Sequence, residues 1–107
     1  NNRIQIFDEN GNLIAVWTQF GRPSTVVVDR TGMIYAGDGM SNDQWNPGWE
    51  RGIRIGDVDT GWVTAFIPDS ERPEGTGVEF LGVDFNGNIY AGEVGRQRLV
   101  KYERFRP

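Results

Sequence analysis

The sequence predicts an all-β fold built from four-stranded antiparallel meanders, the blades of a β-propeller. The first observation is an internal repeat, because residues 29–38 read DRTGMIYAGD and residues 84–93 read DFNGNIYAGE. The second is that RGIRIGDVDTGWVTAFI, after the first copy, resembles NRIQIFDENGNLIAVWT before it, so the chain repeats a cycle of about 50 residues. The third is that no segment has the hydrophobic period of an amphipathic helix.

Nine short segments rich in β-branched and aromatic residues are predicted to be strands. In order they are RIQIFD, NLIAVWT, TVVVD, MIYAGD, GIRIGDV, WVTAFI, FLGVD, NIYAGE and RLVKYERF. In the tight turns between them, Asp and Asn cap the turn and Gly supplies a positive φ. With four strands in each cycle, the chain holds about two and a quarter blades. These are a half blade over 1–18, a complete blade over 19–67 and a three-stranded partial blade over 68–107.

The strand residues also predict a core and an edge. Val26, Val27 and Val28 are apolar on both faces, as expected of an inner strand between neighbouring blades. Lys101 stands where the other cycles have isoleucine, which indicates an outer or edge strand. The aromatic residues on strands are expected to lie in the core; they are Trp17, Tyr35, Trp62, Phe66 and Tyr90.

Composition excludes several kinds of chemistry. The chain has no cysteine and no histidine, which rules out disulfides, thiolate nucleophiles, Cys/His zinc sites and a Ser-His-Asp triad. Residues 1–95 carry 6 basic and 14 acidic side chains, a balance of −8, whereas residues 96–107 carry 5 basic and 1 acidic, a balance of +4. The acidic body disfavours nucleic acid as a partner. No apolar run has the length of a membrane span, and no signal peptide is visible, so the compartment stays open.

The motifs resemble those of the NHL-repeat family of β-propellers. The pattern is carried by Gly21-Arg22-Pro23, Val28-Asp29, Gly32, Ile34-Tyr35-Ala36 and the segment RIQIFD, and it recurs in VD and GNIYA of residues 83–91. The resemblance covers nearly the whole chain. It implies blades of four strands arranged around a central channel.

More narrowly, FGRPS, PGWERGIRIGD, VTAFIPD and IYAGEVG resemble the C-terminal part of bacterial propellers named after peptidyl-hydroxyglycine amidating lyases. For a lyase of that kind the resemblance implies six blades and a histidine-bound metal in the channel. Here the position before Pro47-Gly48-Trp49, where that resemblance leads us to expect histidine, is Asn46. The resemblance therefore implies the scaffold and not the metal chemistry.

Six blades of this size need roughly 250–300 residues, more than twice the length of this chain. Isolated blades would expose the apolar flanks of the outermost repeats. We therefore expect either a fragment of a longer propeller or assembly with copies of itself, with a trimer favoured and a dimer as the alternative. In such an assembly, the partial blade of one copy accepts a strand from the N-terminal half blade of the next.

Loop lengths predict where a site would lie. In a meander, alternate connections open on the same face, and here these are the long ones: Thr18–Ser24, Gly37–Gly52, Pro68–Glu79 and Glu93–Gln97. The longest, GDGMSNDQWNPGWERG, is nine residues longer than its counterpart in the second copy. Its candidate ligand-binding residues are Asp43, Trp45, Asn46, Trp49 and Arg51, a patch suited to a sugar or a small amphipathic molecule. The alternative is that the two indoles fold back over the blade and hold the loop.

Three carboxylates form a second candidate group. Asp38 and Glu93 end equivalent strands and, with Glu79, could face the channel mouth. There they would serve hydrolysis by a carboxylate pair or bind a hard cation such as Ca²⁺. The alternative is that each accepts hydrogen bonds from backbone or arginine. EF-hand calcium is excluded, because the positions eleven residues after the leading aspartates hold Gln19, Pro68 and Gly95.

Two functions remain open on these grounds. The favoured one is a non-catalytic propeller module that self-assembles and presents its long-loop face to a small molecule or a protein. The alternative is a carboxylate- or metal-dependent lyase or hydrolase with its site at the channel mouth.

Overall fold

The computed structural model describes residues 2–69 and 77–105 as three antiparallel sheets. The first contains β1 (Ile4–Phe7) and β2 (Leu13–Trp17). The second contains β3 (Thr25–Val28), β4 (Met33–Asp38), β5 (Gly52–Asp57) and β6 (Val63–Pro68), and the third contains β7 (Phe80–Val83), β8 (Ile89–Glu93) and β9 (Arg98–Tyr102). All nine predicted strands are present, which confirms an all-β fold of antiparallel sheets. The three sheets do not close into a ring, and the propeller assignment stays a prediction.

The repeated motif has a local physical cause. Asp29 Oδ1 accepts the backbone N–H groups of Thr31 and Met33 at 2.9 and 3.0 Å, and its Oδ2 accepts the hydroxyl of Tyr35 at 2.9 Å. Gly32 completes the turn at φ +89°, which favours glycine. The turn after Asp84 repeats these bonds with Asn86, Asn88 and Tyr90. Aspartate and glycine therefore shape these turns, as the sequence predicts.

The turn around Asp84 predicts a pH dependence of stability. The side-chain amide of Asn88, helped by backbone N–H groups, lowers the pKa of Asp84 from 3.8 to about 2. Because the folded pKa is depressed, ionised Asp84 stabilises the fold above about pH 4, and this contribution is lost as the pH falls towards 2. In urea unfolding, Asp84→Asn should therefore be less stable than the parent at pH 5, and the difference should shrink at pH 2.

The control for this prediction is Glu9→Gln, which removes an exposed carboxylate from the β1–β2 turn. Its free energy of unfolding should stay within about 0.5 kcal/mol of the parent at both pH values. A difference for Asp84→Asn that is the same at pH 5 and pH 2 would contradict the assigned role.

The core has two parts, one on each face of β4. Phe20, Ile34 and Ala36 form the first, between the first and second sheets, with Ile4 and Trp17 packed against them. The second lies between the second and third sheets and is formed by Tyr35, Ile53, Val78, Ile89 and Ala91. Successive residues of β4 therefore face different neighbouring sheets, and five of its six residues are buried.

The predictions for individual core residues have mixed outcomes. Tyr35 is buried, but Trp62 is 75% exposed in the turn before β6, so its placement in the core is wrong. The segment Val26–Val28 is not buried on both faces. Val26 and Val28 are 42% and 51% exposed because they point to the side of the first sheet, where no described strand lies opposite them. Lys101 lies on β9, an edge strand among the described strands, which confirms that prediction.

Candidate functional site

The long connections lie together, as a meander predicts. The backbone N–H of Arg22, in the β2–β3 connection, donates to Asp38 Oδ2 at 3.1 Å. The β6–β7 connection reaches the same place through Gly77, whose N–H donates to the carbonyl of Gly39 at 3.0 Å. Residues 70–76 of that predicted long loop lie outside the described residues. These two hydrogen bonds join the β2–β3, β4–β5 and β6–β7 connections into one surface, here called the long-loop face.

Asp38 is the centre of this face and is fully buried. Its Oδ1 accepts the N–H groups of Met40 and Ser41 at 3.0 and 2.9 Å. Its Oδ2 accepts the Arg22 N–H, the Ser41 hydroxyl and, at 3.4 Å, Nη1 of Arg54. Both oxygens are therefore occupied by the protein itself. Asp38 therefore fits the alternative given by the sequence, in which the carboxylate accepts hydrogen bonds from backbone N–H groups and from an arginine.

The Gly21-Arg22-Pro23 motif is explained by the same carboxylate. Gly21 has φ +79°, and a Cβ there would lie 2.4 Å from Asp38 Oδ2 and 2.6 Å from Arg54 Nη1. Only glycine lets the backbone pass this close to the buried pair. The motif thus brings the Arg22 N–H to Asp38.

Arg54 is buried between two aromatic rings. Its guanidinium carbon lies 5.0 Å from the ring centre of Trp49 and 4.5 Å from that of Phe66. Its Nη2 donates to the carbonyl of Glu50 at 2.7 Å. Burial lowers the pKa of Arg54, and Asp38 opposes that shift. Trp49 therefore helps to enclose a buried cation, which favours the structural interpretation of this indole.

Hydrogen bonds of Asn46 hold a second part of the β4–β5 connection in place. Its Nδ2 donates to Ser41 Oγ at 3.0 Å, and its Oδ1 accepts Nδ2 of Asn2 at 3.1 Å. Arg22 donates to Asn2 Oδ1 at 2.8 Å and lies 5.6 Å from the ring centre of Trp45. Trp45 is nevertheless 49% exposed. Its indole is therefore held in place by Arg22 but remains open to contact from outside.

Glu93 occupies the position equivalent to Asp38 and is also buried. Its Oε1 accepts Arg98 Nε at 2.7 Å and Arg96 Nη1 at 3.2 Å. Arg96 in turn makes two bonds of 2.9 Å to Asp69, which raises the pKa of Arg96. Glu93 thus lies in an ion-pair network that links the β6–β7 connection to β9.

The predicted site residues differ in burial. Asp38, Asn46, Arg51 and Glu93 are buried, whereas Asp43, Trp45 and Trp49 are exposed and Glu79 is partly buried. Among residues 2–69 and 77–105 no group of three or more His, Cys, Asp or Glu is arranged to hold a metal ion.

The sequence offers Arg54 only as one of several arginines that could bond the carboxylates, and it does not point to Ser41 at all. The available signal for Arg54 was a charged residue between Ile53 and Ile55 in an otherwise apolar strand. No comparable signal marks Ser41.

Fold and site together define an all-β protein of antiparallel sheets whose longest loop is organised by a buried aspartate. Comparison of the chain with protein-family models, with curated proteins and with solved structures returned no match. None of the described residues form a helix with the length and apolarity needed to cross a membrane.

Proposed function

We propose that this chain is a non-catalytic NHL-type β-propeller module that assembles with copies of itself and presents its long-loop face to a ligand or partner. One observation carries the proposal. The outer face of the third sheet, and the part of the second sheet that the first sheet leaves uncovered, expose residues whose repeat equivalents are buried on the two sides of the interface between the second and third sheets.

The outer face of the third sheet supplies the first half of this observation. Leu99 pairs with Gly92 as Ile53 pairs with Gly37, so Leu99 and Ile53 hold equivalent positions. Ile53 is 2% exposed because the third sheet covers it, whereas Leu99 is 70% exposed. Phe80, on the same face as Leu99, is 65% exposed. An exposed apolar surface of this kind marks an interaction site.

The opposite side of the molecule supplies the second half. Val26 pairs with Ala36 as Leu81 pairs with Ala91, so Val26 and Leu81 are equivalent. Leu81 packs into the core between the second and third sheets, whereas Val26 is exposed. The two exposed faces are thus the two different halves of one kind of interface. Contacts between such faces are head-to-tail and build rings when the rotation closes.

Charge supports the same arrangement. Residues 96–107, with a balance of +4, include β9 on the third sheet, while residues 1–95 carry −8. A head-to-tail contact brings the basic segment of one copy to the acidic body of the next, and complementary charge favours such encounters. With three copies the ring would have six blades; a dimer is the alternative.

The ligand surface that we propose on the long-loop face contains fewer residues than the sequence suggests. Trp45 and Asp43 are exposed and available for contact, and Trp49 offers only the part of its ring that does not cover Arg54. Asp38, Asn46 and Glu93 position the loops. Nothing in the described residues favours the alternative of a carboxylate- or metal-dependent lyase or hydrolase, because arginines engage both Asp38 and Glu93.

Light scattering on a size-exclusion column tests the assembly. We expect a mass near three times 12.1 kDa for the parent chain. Leu99→Asp places a charge on the outer face of the third sheet and should shift the mass to that of one copy. Trp45→Asp, on the long-loop face, is the control and should leave the mass unchanged. A parent chain that stays monomeric at high concentration, or an undiminished mass for Leu99→Asp, would contradict the proposal.

A further inference from the structure

A cavity of about 520 Å³ lies between the second and third sheets beside β9. Its apolar walls include Ile55 and Ile67 of the second sheet and Ile89 and Tyr102 of the third. Thr64 and Ala65 of β6 line it as well. The cavity therefore lies where the outer part of the second sheet faces the outermost described strand of the third.

Comparison of the second and third sheets shows which strand would fill the cavity beside β9. β9 pairs with β8 in the register with which β5 pairs with β4: Glu93 lies opposite Arg98 as Asp38 lies opposite Gly52. β5 carries β6 on its outer edge, whereas no strand in residues 2–69 or 77–105 pairs with the outer edge of β9. The third sheet thus lacks, among its described strands, the counterpart of β6.

β2 is the repeat equivalent of β6. Ala15 lies opposite Ile6 as Ala65 lies opposite Ile55, and both strand pairs have a register shift at the next residue. β2 also exposes apolar side chains, since Leu13 is 52% and Val16 46% exposed. On the outer edge of β9 in the same register, β2 would direct these two side chains towards the second sheet and into the cavity.

We infer that, within the self-assembly proposed above, β9 of one copy pairs with β2 of a second copy and displaces β1 of that second copy. β1 and β9 are equivalent strands, because RIQIF and RLVKY begin the same part of the repeat, and both require the same edge of β2. Only one of them can occupy it.

The contacts of β1 and β9 indicate that β1 is the strand that is displaced. β1 pairs only with β2 among the described strands, and its Phe7 is 53% exposed. β9 is held on β8 by five residue pairs and by the ion pair between Arg98 and Glu93. The exchange replaces one strand pairing by another and in addition buries Val16 and Leu13 in the cavity. In that exchange Leu99 takes the place of Ile4 against Trp17 and Phe20 of the second copy.

Engineered cysteines test this exchange, because the natural chain contains none. In Ala15→Cys/Lys101→Cys, the two cysteines face each other only across the proposed β9–β2 pairing. In the matched variant Ile6→Cys/Ala15→Cys, they face each other within one copy. Directly opposite residues of paired strands lie within the range of a disulfide. The two pairs hold equivalent sheet positions, so their bonding geometry is matched.

The expected results are opposite for the two variants. Oxidised Ala15→Cys/Lys101→Cys should run as covalent oligomers on a non-reducing gel, whereas each single-cysteine variant should not. Oxidised Ile6→Cys/Ala15→Cys should fall to the mass of one copy, because β1 is locked on β2, and should regain the parent's mass on reduction. The reduced proteins, measured by the same light scattering, show that each variant folds and assembles as the parent does.

Each contrary result has a distinct meaning. If oxidised Ile6→Cys/Ala15→Cys keeps the oligomeric mass, β1 is not displaced and the inference is wrong, while assembly through the sheet faces stands. If Ala15→Cys/Lys101→Cys forms no covalent oligomer although the parent is oligomeric, the inference is wrong in the same way. A parent chain that is monomeric removes both the inference and the proposed function.

Discussion

Replacing Asp38 by alanine is expected to lower the free energy of unfolding by about 3–5 kcal/mol, the cost of removing one partner from a buried ion pair. The side chains of Asp38 and Arg54 are 0% and 8% exposed, so solvent screens their interaction little. The substitution also deprives the N–H groups of Arg22, Met40 and Ser41 of their acceptor. Urea unfolding of the parent and the variant at pH 7 measures the difference.

A double-mutant cycle separates the contributions to this effect. The contact between Arg54 and Asp38 is 3.4 Å, long for a charged hydrogen bond, so we expect a coupling of about 0.5–3 kcal/mol between Asp38→Ala and Arg54→Met. The part of the loss that the coupling does not account for comes from the backbone N–H groups left without an acceptor. Asp43→Ala, on the exposed part of the same loop, is the matched control and should change stability by less than about 0.5 kcal/mol. A loss for Asp38→Ala as small as that of the control would refute its central role.

Phe20→Ala should have an effect of similar size, about 3–5 kcal/mol, because it opens a cavity in the core. Phe20 is fully buried, and its ring lies 5.9 Å from that of Trp17. Phe20 is tightly packed against the second sheet, since its Cζ would lie only 3.1 Å from a Cβ added at Gly56. The urea midpoint should therefore fall while the slope of the transition stays constant.

Trp62→Ala is the control for this prediction. It removes a larger aromatic side chain, but Trp62 is 75% exposed, so the free energy of unfolding should change by less than about 0.5 kcal/mol. If the two substitutions cost the same, the core assigned to Phe20 is wrong. Phe20→Leu should recover part of the stability, because less volume is lost.

Much of the fold could be predicted because the sequence patterns that specify it span only a few residues. The turns around Asp29 and Asp84 depend on bonds between residues at most six positions apart. Strand period and turn chemistry act over the same distance, and the nine strands follow from them. Trp62 was misplaced because it adjoins a strand pattern but lies in the turn, and a shift of one residue changes the face of a side chain.

The candidate site could be predicted only in part. The loops that form it follow from connection lengths, and the buried Asp38 and Glu93 follow from the ends of equivalent strands. Their partners do not follow, because Arg54 is 16 residues from Asp38 in sequence, and Asp69 is 27 residues from Arg96. The sequence contains many carboxylates and arginines, and only the packed fold selects the pairs.

The sequence by itself determined the strands, the tight turns and the repeat, since each depends on interactions among neighbouring residues. Only the tertiary structure decided which apolar faces are covered. Ile53 and Leu99 are equivalent in the repeat, yet one is 2% and the other 70% exposed. The physical reason is that burial of a sheet face depends on the sheet packed against it, and the residues of a strand do not specify which sheet that is.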